Sequence, residues 1–364
     1  NGIPIPGGVH EETPAVDGQD IMISIDIQLQ EYVEERLEQG AKDISAEGGT
    51  AVVMDGGTGE IYAAATLPYL NPADMSTVEE GADQLKAVTQ AYEPGSVFKT
   101  VSTMALLETD SMKPDDTLFC PAVIEADGYK VSDSHERDDA TFTLREILDQ
   151  SSNVGISLSV EKMGFDKLYD HIKTYNLNEP TGVDYPGEAS GTLQPFDKWA
   201  RITGYNVSFG QGIAVTPLQM AVAYGGIATG RIMRPHLLKE VRNETGDVVL
   251  QFEPEVVAEP DVDPAHLAIV RDALHGVVQD SGILSPLFSV NGIDAAGKTG
   301  TAEHADDSGD DAWFACYAPY DDPKYVVVCV VEHGGGGSAV AAPLAAEIMA
   351  ATMADDAGTG DGVM

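Results

Sequence analysis

Ser96 and Lys99 are the first pair of residues whose types and spacing could support covalent catalysis. The turn-forming pair Pro94-Gly95 precedes them, so Ser96 is predicted to begin a helix and Lys99 to lie on the same helix face. A hydroxyl becomes a good nucleophile when a base takes its proton, and a partly buried lysine near other cations can be that base. The pair alone is weak evidence, because a solvated lysine satisfies the same spacing.

Two further segments carry residues of matching chemistry. Ser151 and Asn153 stand between two helical-looking segments, and residues 298–301, Lys-Thr-Gly-Thr, begin a strand predicted to lie at a sheet edge. The lysine adds positive charge, the threonine hydroxyls can hold a carboxylate, and the glycine lets a ligand approach the strand closely. The order of the three segments along the chain is far more specific than any one of them, and it is typical of penicillin-binding proteins and β-lactamases.

From about residue 21 to residue 353 the sequence resembles the transpeptidase domain of the penicillin-binding proteins. Residues 24–30 are similar to the family's opening strand–helix junction, residues 209–219 to a stretch characteristic of the family, and residues 312–319 to the strand after the Lys-Thr-Gly motif. Thr100 and the pair Thr301-Ala302, which follow the first and third motifs, resemble the monofunctional class B branch more than the bifunctional class A enzymes.

The resemblance implies a peptidoglycan D,D-transpeptidase that cross-links stem peptides through an acyl-enzyme and is inhibited by β-lactams. Ser96 would attack the penultimate D-Ala carbonyl, and Lys99 would accept its proton. Ser151 would relay a proton to the leaving group, while Lys298 keeps the local potential positive. Asn153 would hydrogen-bond the substrate backbone and help to hold Lys99.

Substrate binding is implied for Thr299, Gly300 and Thr301. The two threonines would bind the terminal carboxylate, and the backbone amides of Ser96 and Thr301 would form the oxyanion hole. No cofactor and no metal are predicted. The implied partners are stem peptides ending in D-Ala-D-Ala, β-lactam antibiotics, a membrane glycosyltransferase and proteins of the divisome or elongasome. The implied location is the extracytoplasmic face of the bacterial cell membrane, with an anchoring N-terminal helix outside this chain.

Two other kinds of function stay open. A D,D-carboxypeptidase or a serine β-lactamase on the same scaffold would let water reach the acyl-enzyme, yet the sequence contains no identifiable second general base for fast deacylation. A β-lactam-sensing or scaffolding domain would form the acyl-enzyme without turnover. Cross-linking of a peptidoglycan precursor separates a transpeptidase from a sensor, whereas acylation alone does not.

Composition and patterning indicate the elements that must hold these residues. The 364 residues carry a formal net charge of −40, which disfavours nucleic-acid binding through a basic face. Predicted strands cluster at both chain ends and predicted helices fill the middle, which favours an α/β fold with one antiparallel sheet flanked by helices and a mostly helical lobe inserted. We predict a sheet lobe at about 21–70 and 264–354 and a helical lobe at about 71–263. Residues 1–20 are predicted to be a linker or the remnant of a pedestal region, and residues 355–364 a tail.

Local patterns add finer expectations. Asp26 is predicted to cap a helix, the glycines of residues 56–59 predict a hairpin, and Thr216-Pro217 and Asp263-Pro264 are predicted helix starts. The most apolar run, residues 325–331, is too short to cross a membrane and indicates a buried strand.

The remaining cysteines, histidines and acidic residues indicate little chemistry. Zinc binding by Cys120, Asp133 and His135 is disfavoured, because their spacing matches no established tetrahedral pattern. His304 is a candidate for the cleft lining, and the other histidines, including that at position 333, show no clustering. The acidic residues between positions 306 and 311 are interpreted as a solvated loop. Residues 316 and 329 are cysteines on a predicted hairpin, roughly opposite each other, and are interpreted as two buried free thiols.

Overall fold

The computed structural model describes residues 18–46, 48–260, 262–304 and 309–359. Within these ranges no helix combines the length and the apolar character needed to cross a membrane. The helices are α1 (Ile27–Ile44), α2 (Lys86–Thr89), α3 (Lys99–Glu108), α4 (Leu144–Asp149), α5 (Asn153–Met163), α6 (Phe165–Thr174), α7 (Arg201–Ser208), α8 (Pro217–Thr229), α9 (Pro264–Gln279), α10 (Leu284–Ser289) and α11 (Ala341–Thr359). The strands are β1 (Asp20–Ile23), β2 (Gly48–Asp55), β3 (Ile61–Leu67), β4 (Thr117–Cys120), β5 (Val123–Ala126), β6 (Tyr129–Ser132), β7 (Ala140–Thr143), β8 (Thr192–Leu193), β9 (Ile213–Ala214), β10 (Ile232–Met233), β11 (Leu238–Arg242), β12 (Val248–Gln251), β13 (Val256–Ala258), β14 (Ala296–Ala302), β15 (Asp311–Ala318) and β16 (Tyr325–Glu332).

Five of these strands form the central sheet in the order β14-β15-β16-β2-β3, and every neighbouring pair is antiparallel. β2 and β3 come from the first part of the chain and the other three from its last part, so the predicted α/β architecture is confirmed. β14, which carries Lys298, lies at the edge of the sheet as predicted. The predicted hairpin at residues 56–59 joins β2 to β3.

Hydrophobic clusters cover both faces of the central sheet. Along β2, Val52 and Met54 belong to one cluster, which also takes in residues of α3, α5 and α8. Ala51 and Val53 belong to the other, which includes residues of α1 and α11. Because successive strand residues point to opposite faces, an unbroken apolar run suits a strand that is covered on both sides.

The predicted helix caps are confirmed. The Asp26 carboxylate accepts hydrogen bonds from the backbone amides at the start of α1, and the Asp263 side chain accepts one at the start of α9. Thr216 caps α8 through a reciprocal capping box, with a proline in the first turn as predicted. α8 is apolar all round and nearly all of it is buried, as expected for a helix inside a core.

A separate compact unit consists of Leu238–Glu253 and the described residues that precede Ser24. It contains a three-stranded antiparallel sheet in the order β1-β11-β12. The strand predicted at Ile21 is present, but it pairs with β11 and not with the central sheet, contrary to the predicted start of the sheet lobe. All four of its residues are exposed, so β1 has no buried face to contribute to the core. The other lobe boundaries stay predictions. The candidate site lies in the second compact unit, which consists of the described residues of 24–237 and those from Pro254 onward.

The three cysteines are buried free thiols, as predicted for Cys316 and Cys329. β15 and β16 form the predicted hairpin, but the register pairs Cys316 with Val327 and Cys329 with Phe314, so the two thiols are not directly opposite. Burial raises the pKa of the Cys329 thiol to about 12 and that of Cys316 well above its ordinary value. Both thiols are therefore neutral at physiological pH and poorly nucleophilic.

Candidate active site

The segment that carries Ser96 is a short 3-10 turn, Gly95–Phe98, that runs directly into α3. Gly95 has a φ of +55°, and a Cβ atom there would come within 2.4 Å of the Thr301 carbonyl oxygen. Glycine is therefore needed both for the backbone conformation and for the close approach of the turn to β14. The first and third sequence motifs are brought together at this contact.

The 209–219 segment holds this turn from the other side. Tyr92 and Val215 exchange two backbone hydrogen bonds of 2.9 and 2.8 Å, and the Gly95 amide donates to the Gly210 carbonyl oxygen at 3.0 Å. The Glu93 carboxylate accepts a 2.9 Å hydrogen bond from the backbone amide of Gly212. Through these bonds the characteristic segment positions the residues that lead into Ser96.

Lys99 is completely buried in the first turn of α3. Its Nζ lies 2.9 Å from Ser96 Oγ, 2.5 Å from the Ser151 carbonyl oxygen and 3.1 Å from Ser151 Oγ. Burial lowers the pKa of Lys99 well below its ordinary value, and the charge of Lys298 lowers it further. A lysine in this state can be neutral at physiological pH, which makes it a competent proton acceptor for the half-buried Ser96 hydroxyl.

Ser151 is the link between the two lysines. Lys298 Nζ donates to Ser151 Oγ at 3.0 Å and to the Thr299 carbonyl oxygen at 3.3 Å. Ser151 adopts a left-handed backbone with a φ of +50°, an uncommon conformation for a residue with a Cβ atom. In that conformation both its hydroxyl and its carbonyl oxygen contact Lys99 Nζ, so this residue joins the first motif to the third.

Asp133 supports the Ser151 turn, a role that the sequence did not indicate. Its carboxylate accepts hydrogen bonds from Ser152 Oγ at 2.9 Å and from the Val154 amide at 3.0 Å, and it pairs with Arg137 Nε at 2.6 Å. The Ser152 hydroxyl in turn caps α5 through the Gly155 amide. Asp133 is 18 residues from Ser151 in the chain, so no local spacing could have indicated the contact.

Lys298 is also buried, at 2% exposure, although it lies on an edge strand. Burial lowers its pKa from the ordinary value of 10.5 to about 8, while the nearby Asp149 carboxylate acts in the opposite direction. Lys298 therefore remains largely protonated at pH 7 and supplies positive potential beside Ser151. Thr299 is half-buried and Thr301 is exposed, so both are accessible from solvent on this strand.

The structure gives a different reason for glycine at position 300 from the one that the sequence suggests. A Cβ atom at this position would lie 2.8 Å from the Pro94 carbonyl oxygen and 3.0 Å from Val97 Cγ1 and Trp313 Cβ. The missing side chain thus lets the Ser96 turn pack against β14, whether or not a ligand also approaches the strand there. Its assignment to substrate binding stays a prediction.

Asn153 lies at the first position of α5, next to the Ser151 turn. Its Nδ2 donates a 3.0 Å hydrogen bond to the Ser132 carbonyl oxygen at the end of β6. Among the described residues no hydrogen bond joins Asn153 to Lys99, so the expectation that it helps to hold the lysine is not met. The Ser151 backbone carbonyl, for which the sequence predicted no role, contacts Lys99 Nζ instead.

The structure also shows where the disfavoured zinc ligands and the candidate cleft histidine His304 lie. The Asp133 carboxylate accepts hydrogen bonds from Ser152 and Arg137, and within the described residues Cys120, Asp133 and His135 do not form a group whose ligand atoms could hold a metal ion. His304 lines a cavity of about 820 Å³ together with Asp311 and His333, although the sequence indicated no clustering for His333. Half of the predicted acidic loop, residues 306–308, lies outside the described residues. Asp311, its last residue, begins β15 and is buried, so it does not belong to a solvated loop as the sequence indicated.

The family model described as "Penicillin binding protein transpeptidase domain" matches residues 49–350. The chain belongs to this family. It is 32% identical over 369 residues to penicillin-binding protein PbpB of Mycolicibacterium smegmatis, covering 96% of this chain and 56% of that protein. It is 30% identical over 360 residues to peptidoglycan D,D-transpeptidase FtsI of Escherichia coli K12, covering 94% of this chain and 58% of that protein. The chain therefore spans little more than half the length of these relatives.

Solved structures of the family share the fold of the chain. Penicillin binding protein 3 of Mycobacterium tuberculosis, complexed with aztreonam, has a TM-score of 0.85 and 31% sequence identity, covering 96% of this chain and 82% of that one. The D,D-transpeptidase domain of a peptidoglycan glycosyltransferase from Eggerthella lenta has a TM-score of 0.81 and 27% identity, covering 93% of this chain and 84% of that one.

Proposed function

We propose that the chain is a peptidoglycan D,D-transpeptidase domain in which Ser96 is the nucleophile and Lys99 the general base. The observation that carries the proposal is the 2.9 Å contact between Ser96 Oγ and the fully buried Lys99 Nζ, whose pKa is lowered by burial and by a second buried lysine. This is the arrangement that nucleophilic catalysis by a hydroxyl needs, because the base must be both within reach and unprotonated.

Acylation is proposed to begin when Ser96 Oγ attacks the carbonyl carbon of the penultimate D-Ala of a stem peptide and passes its proton to Lys99 Nζ. The amides of Ser96 and Thr301 would stabilise the negative charge on the carbonyl oxygen. The bond to the terminal D-Ala nitrogen then breaks, and that nitrogen takes a proton through Ser151 Oγ, which lies 3.1 Å from Lys99 Nζ and 3.0 Å from Lys298 Nζ.

Transfer completes the proposed cycle. The amine of a second stem peptide attacks the ester carbonyl and gives one proton to Lys99 Nζ, which is neutral again after acylation. The bond to Ser96 Oγ breaks as the new amide forms, and Ser96 takes that proton from Lys99. The product is a cross-link between two stem peptides, and Lys99 returns to its neutral state. In a carboxypeptidase or a β-lactamase, water would replace that amine.

Recognition of the donor peptide is proposed for the exposed edge of β14 and for Asn153. The Thr299 and Thr301 hydroxyls would bind the terminal carboxylate of the peptide, in the positive potential of the protonated Lys298. Gly300 would present its backbone to the ligand. Because Asn153 Nδ2 already donates to Ser132, we assign its amide oxygen to a peptide N–H of the substrate.

The biological setting is proposed from the relatives. The solved relatives include complexes with aztreonam and ampicillin, which supports β-lactams as covalent ligands of Ser96. Substrates ending in D-Ala-D-Ala, a membrane glycosyltransferase and divisome or elongasome proteins are the proposed partners, at the extracytoplasmic face of the bacterial membrane.

The first test is the intact mass of the protein after incubation with ampicillin. We expect one stoichiometric adduct on the wild type, none on Ser96→Ala, and an unchanged adduct on Ser76→Ala, which removes an exposed serine outside the site. An adduct that survives in Ser96→Ala would refute the assignment of the nucleophile.

The second test separates the transpeptidase from the alternatives. The protein is incubated with a peptidoglycan precursor that carries both donor and acceptor stems, and the products are resolved by mass spectrometry. Cross-linked dimers support the proposal, release of D-Ala without dimers identifies a carboxypeptidase, and acylation without either product identifies a sensor. Hydrolysis of ampicillin with rapid loss of the adduct identifies a β-lactamase.

A further inference from the structure

Three strand ends of the central sheet bring together side chains that no spacing along the sequence connects. His304 lies two residues beyond β14, Asp311 begins β15, and His333 follows β16 directly. The antiparallel register pairs Ala302 with Asp311 and Ala312 with Val331, so the end of β14, the start of β15 and the end of β16 lie side by side. Two imidazoles and one carboxylate therefore lie together at one end of these three strands.

The candidate ligand atoms of these residues lie close enough together that a small side-chain adjustment would let one ion contact all three. Asp311 Oδ2 lies 3.1 Å from His304 Nε2, and the candidate ligand atoms of all three residues lie within 4.8 Å of one another. In a tetrahedral site with bonds of about 2.0 Å, neighbouring ligand atoms are about 3.3 Å apart. The first pair is already close to that separation, and the farthest pair needs to approach by at most about 1.5 Å.

The Asp311 carboxylate is held in place by the protein without an ion. Asp311 is only 3% exposed, and its Oδ1 accepts a 3.0 Å hydrogen bond from the backbone amide of His333. Such a bond orients a ligating carboxylate and leaves the other oxygen for the ion. The imidazole rings of His304 and His333 lie edge to face with centroids 5.2 Å apart, and the exposed His304 opens the group to solvent.

The surroundings favour a cation. The three residues line the cavity of about 820 Å³ noted above. Its described lining also contains the carboxylates of Glu93, Glu303 and Glu332, and includes no lysine or arginine. Lys86 neutralises one of these, because its Nζ lies 2.7 Å from Glu332 Oε1. The remaining negative charge attracts a cation into the cavity, where an open coordination position would face solvent.

We propose that His304, Asp311 and His333 bind one divalent transition-metal ion, with zinc as the ion that this ligand set suits best. Two neutral imidazoles and one carboxylate are borderline ligands of the kind that zinc accepts in sites with an open fourth position. The ion would tie the end of β14 to β15 and β16. The three proposed ligands are not among the residues proposed for catalysis, so the proposal does not depend on the transpeptidase activity.

The test is a titration of the metal-free protein with zinc chloride in competition with a chromophoric chelator, together with thermal unfolding of the same samples. We expect one ion per chain and a midpoint that rises by at least about 3 °C at saturation. His304→Ala and His333→Ala should each weaken zinc binding at least about tenfold and abolish the rise in midpoint. His304 is exposed, so its variant removes a ligand without opening the core.

His275→Ala is the matched control. His275 Nε2 lies 2.6 Å from Asp294 Oδ1, so it forms a histidine–carboxylate pair like that of His304, and it does not belong to a three-residue group within the described residues. The His275→Ala variant should bind zinc with the same affinity as the wild type. Ampicillin adduct formation by each metal-free variant checks that the fold is intact.

Two results would overturn the proposal. One is a titration in which fewer than one zinc ion binds per chain even at saturating zinc concentrations. The other is binding that His304→Ala and His333→Ala leave unchanged, which would mean that zinc reaches scattered surface groups. In either case the three side chains form a hydrogen-bonded cluster and no metal site.

Discussion

Replacing Lys298 by methionine is expected to make the protein more stable at neutral pH while it slows acylation. The Lys298 ammonium is buried and its pKa is lowered from 10.5 to about 8, so folding carries a charged group into surroundings that disfavour the charge. Methionine has a similar length and no charge, so the variant keeps most of the packing and removes the penalty.

The size of the penalty follows from the pKa difference. A difference of about 2.5 between the folded and unfolded pKa values corresponds to about 3 kcal/mol of destabilisation when the lysine is charged in both states. The variant also loses two hydrogen bonds, to Ser151 Oγ and to the Thr299 carbonyl oxygen, at about 1 kcal/mol each. Lys298→Met should therefore be more stable than the wild type by about 1 kcal/mol at pH 7.

The sign of this effect should reverse with pH. Between about pH 8 and pH 10.5 the unfolded lysine still holds a proton that the folded one has released, so the stability of the wild type rises with pH in this window. At pH 10 the penalty has fallen to about 1 kcal/mol, while the two hydrogen bonds remain lost in the variant. Lys298→Met should then be about 1 kcal/mol less stable than the wild type.

Acylation should change in the opposite direction at neutral pH. The Lys298 charge is one of the causes that lower the pKa of Lys99, so its removal raises that pKa and leaves less of the neutral base. We expect the second-order rate of acylation by a fluorescent penicillin to fall at least about tenfold at pH 7. Part of the loss should be recovered as the pH rises and Lys99 releases its proton.

The assay is denaturant unfolding of both proteins at pH 7 and pH 10, with Lys86→Met as the control. Lys86 is also a buried lysine, but its Nζ pairs with Glu332 at 2.7 Å. Removing it leaves a carboxylate without its partner, so this variant should lose about 3 kcal/mol of stability. A Lys298→Met protein that is less stable at pH 7, or equally affected at both pH values, would refute the reasoning about the buried charge.

Two further substitutions test the supports of the site. Asp133→Asn should lower stability by about 3 kcal/mol, because it breaks a mostly buried pair with Arg137. It should also slow acylation at least about tenfold by loosening the Ser151 turn, although removal of the Asp133 charge by itself lowers the pKa of Lys99 and favours the neutral base. Thermal unfolding and the fluorescent-penicillin rate check the two effects, and unchanged acylation would remove Asp133 from the positioning of the turn. Gly300→Ala should cost about 1–3 kcal/mol and slow acylation, since its methyl would press on the Pro94 carbonyl oxygen at 2.8 Å. Gly282→Ala, whose methyl meets nothing within 4 Å, is the control, and equal midpoints and rates for the two glycine variants would contradict this account.

The candidate site residues could be identified from the sequence because they occur in short local patterns. Ser96 and Lys99 are one helical turn apart after a Pro-Gly turn, and the Lys-Thr-Gly strand ends a buried sheet at its edge. Caps such as Asp26 and Thr216 act within three residues of themselves, so their residue types suffice to place helix starts. The distribution of strands and helices along the chain was enough to predict the α/β architecture.

The supports of the site depend on contacts between distant parts of the chain. Asp133 reaches the Ser151 turn from a loop after β6, and Gly300 is required because Pro94, some 200 residues earlier, packs against it. From the sequence, Asp133 was only a disfavoured zinc ligand and Gly300 a residue that lets a ligand approach, since residue type alone does not say which neighbour a side chain meets. Asn153 likewise bonds to Ser132 and not to the lysine assigned to it from the family pattern.

Tertiary structure also produced a cluster of side chains and two lowered pKa values that no sequence pattern indicated. His304, Asp311 and His333 converge because β14, β15 and β16 are antiparallel neighbours in a register that aligns their ends. The lowered pKa values of Lys99 and Lys298 arise in the same way, because each lysine is buried by segments far away in the chain. A sequence specifies which groups can ionise or ligate, but burial and distance decide how they behave, and both are properties of the folded chain.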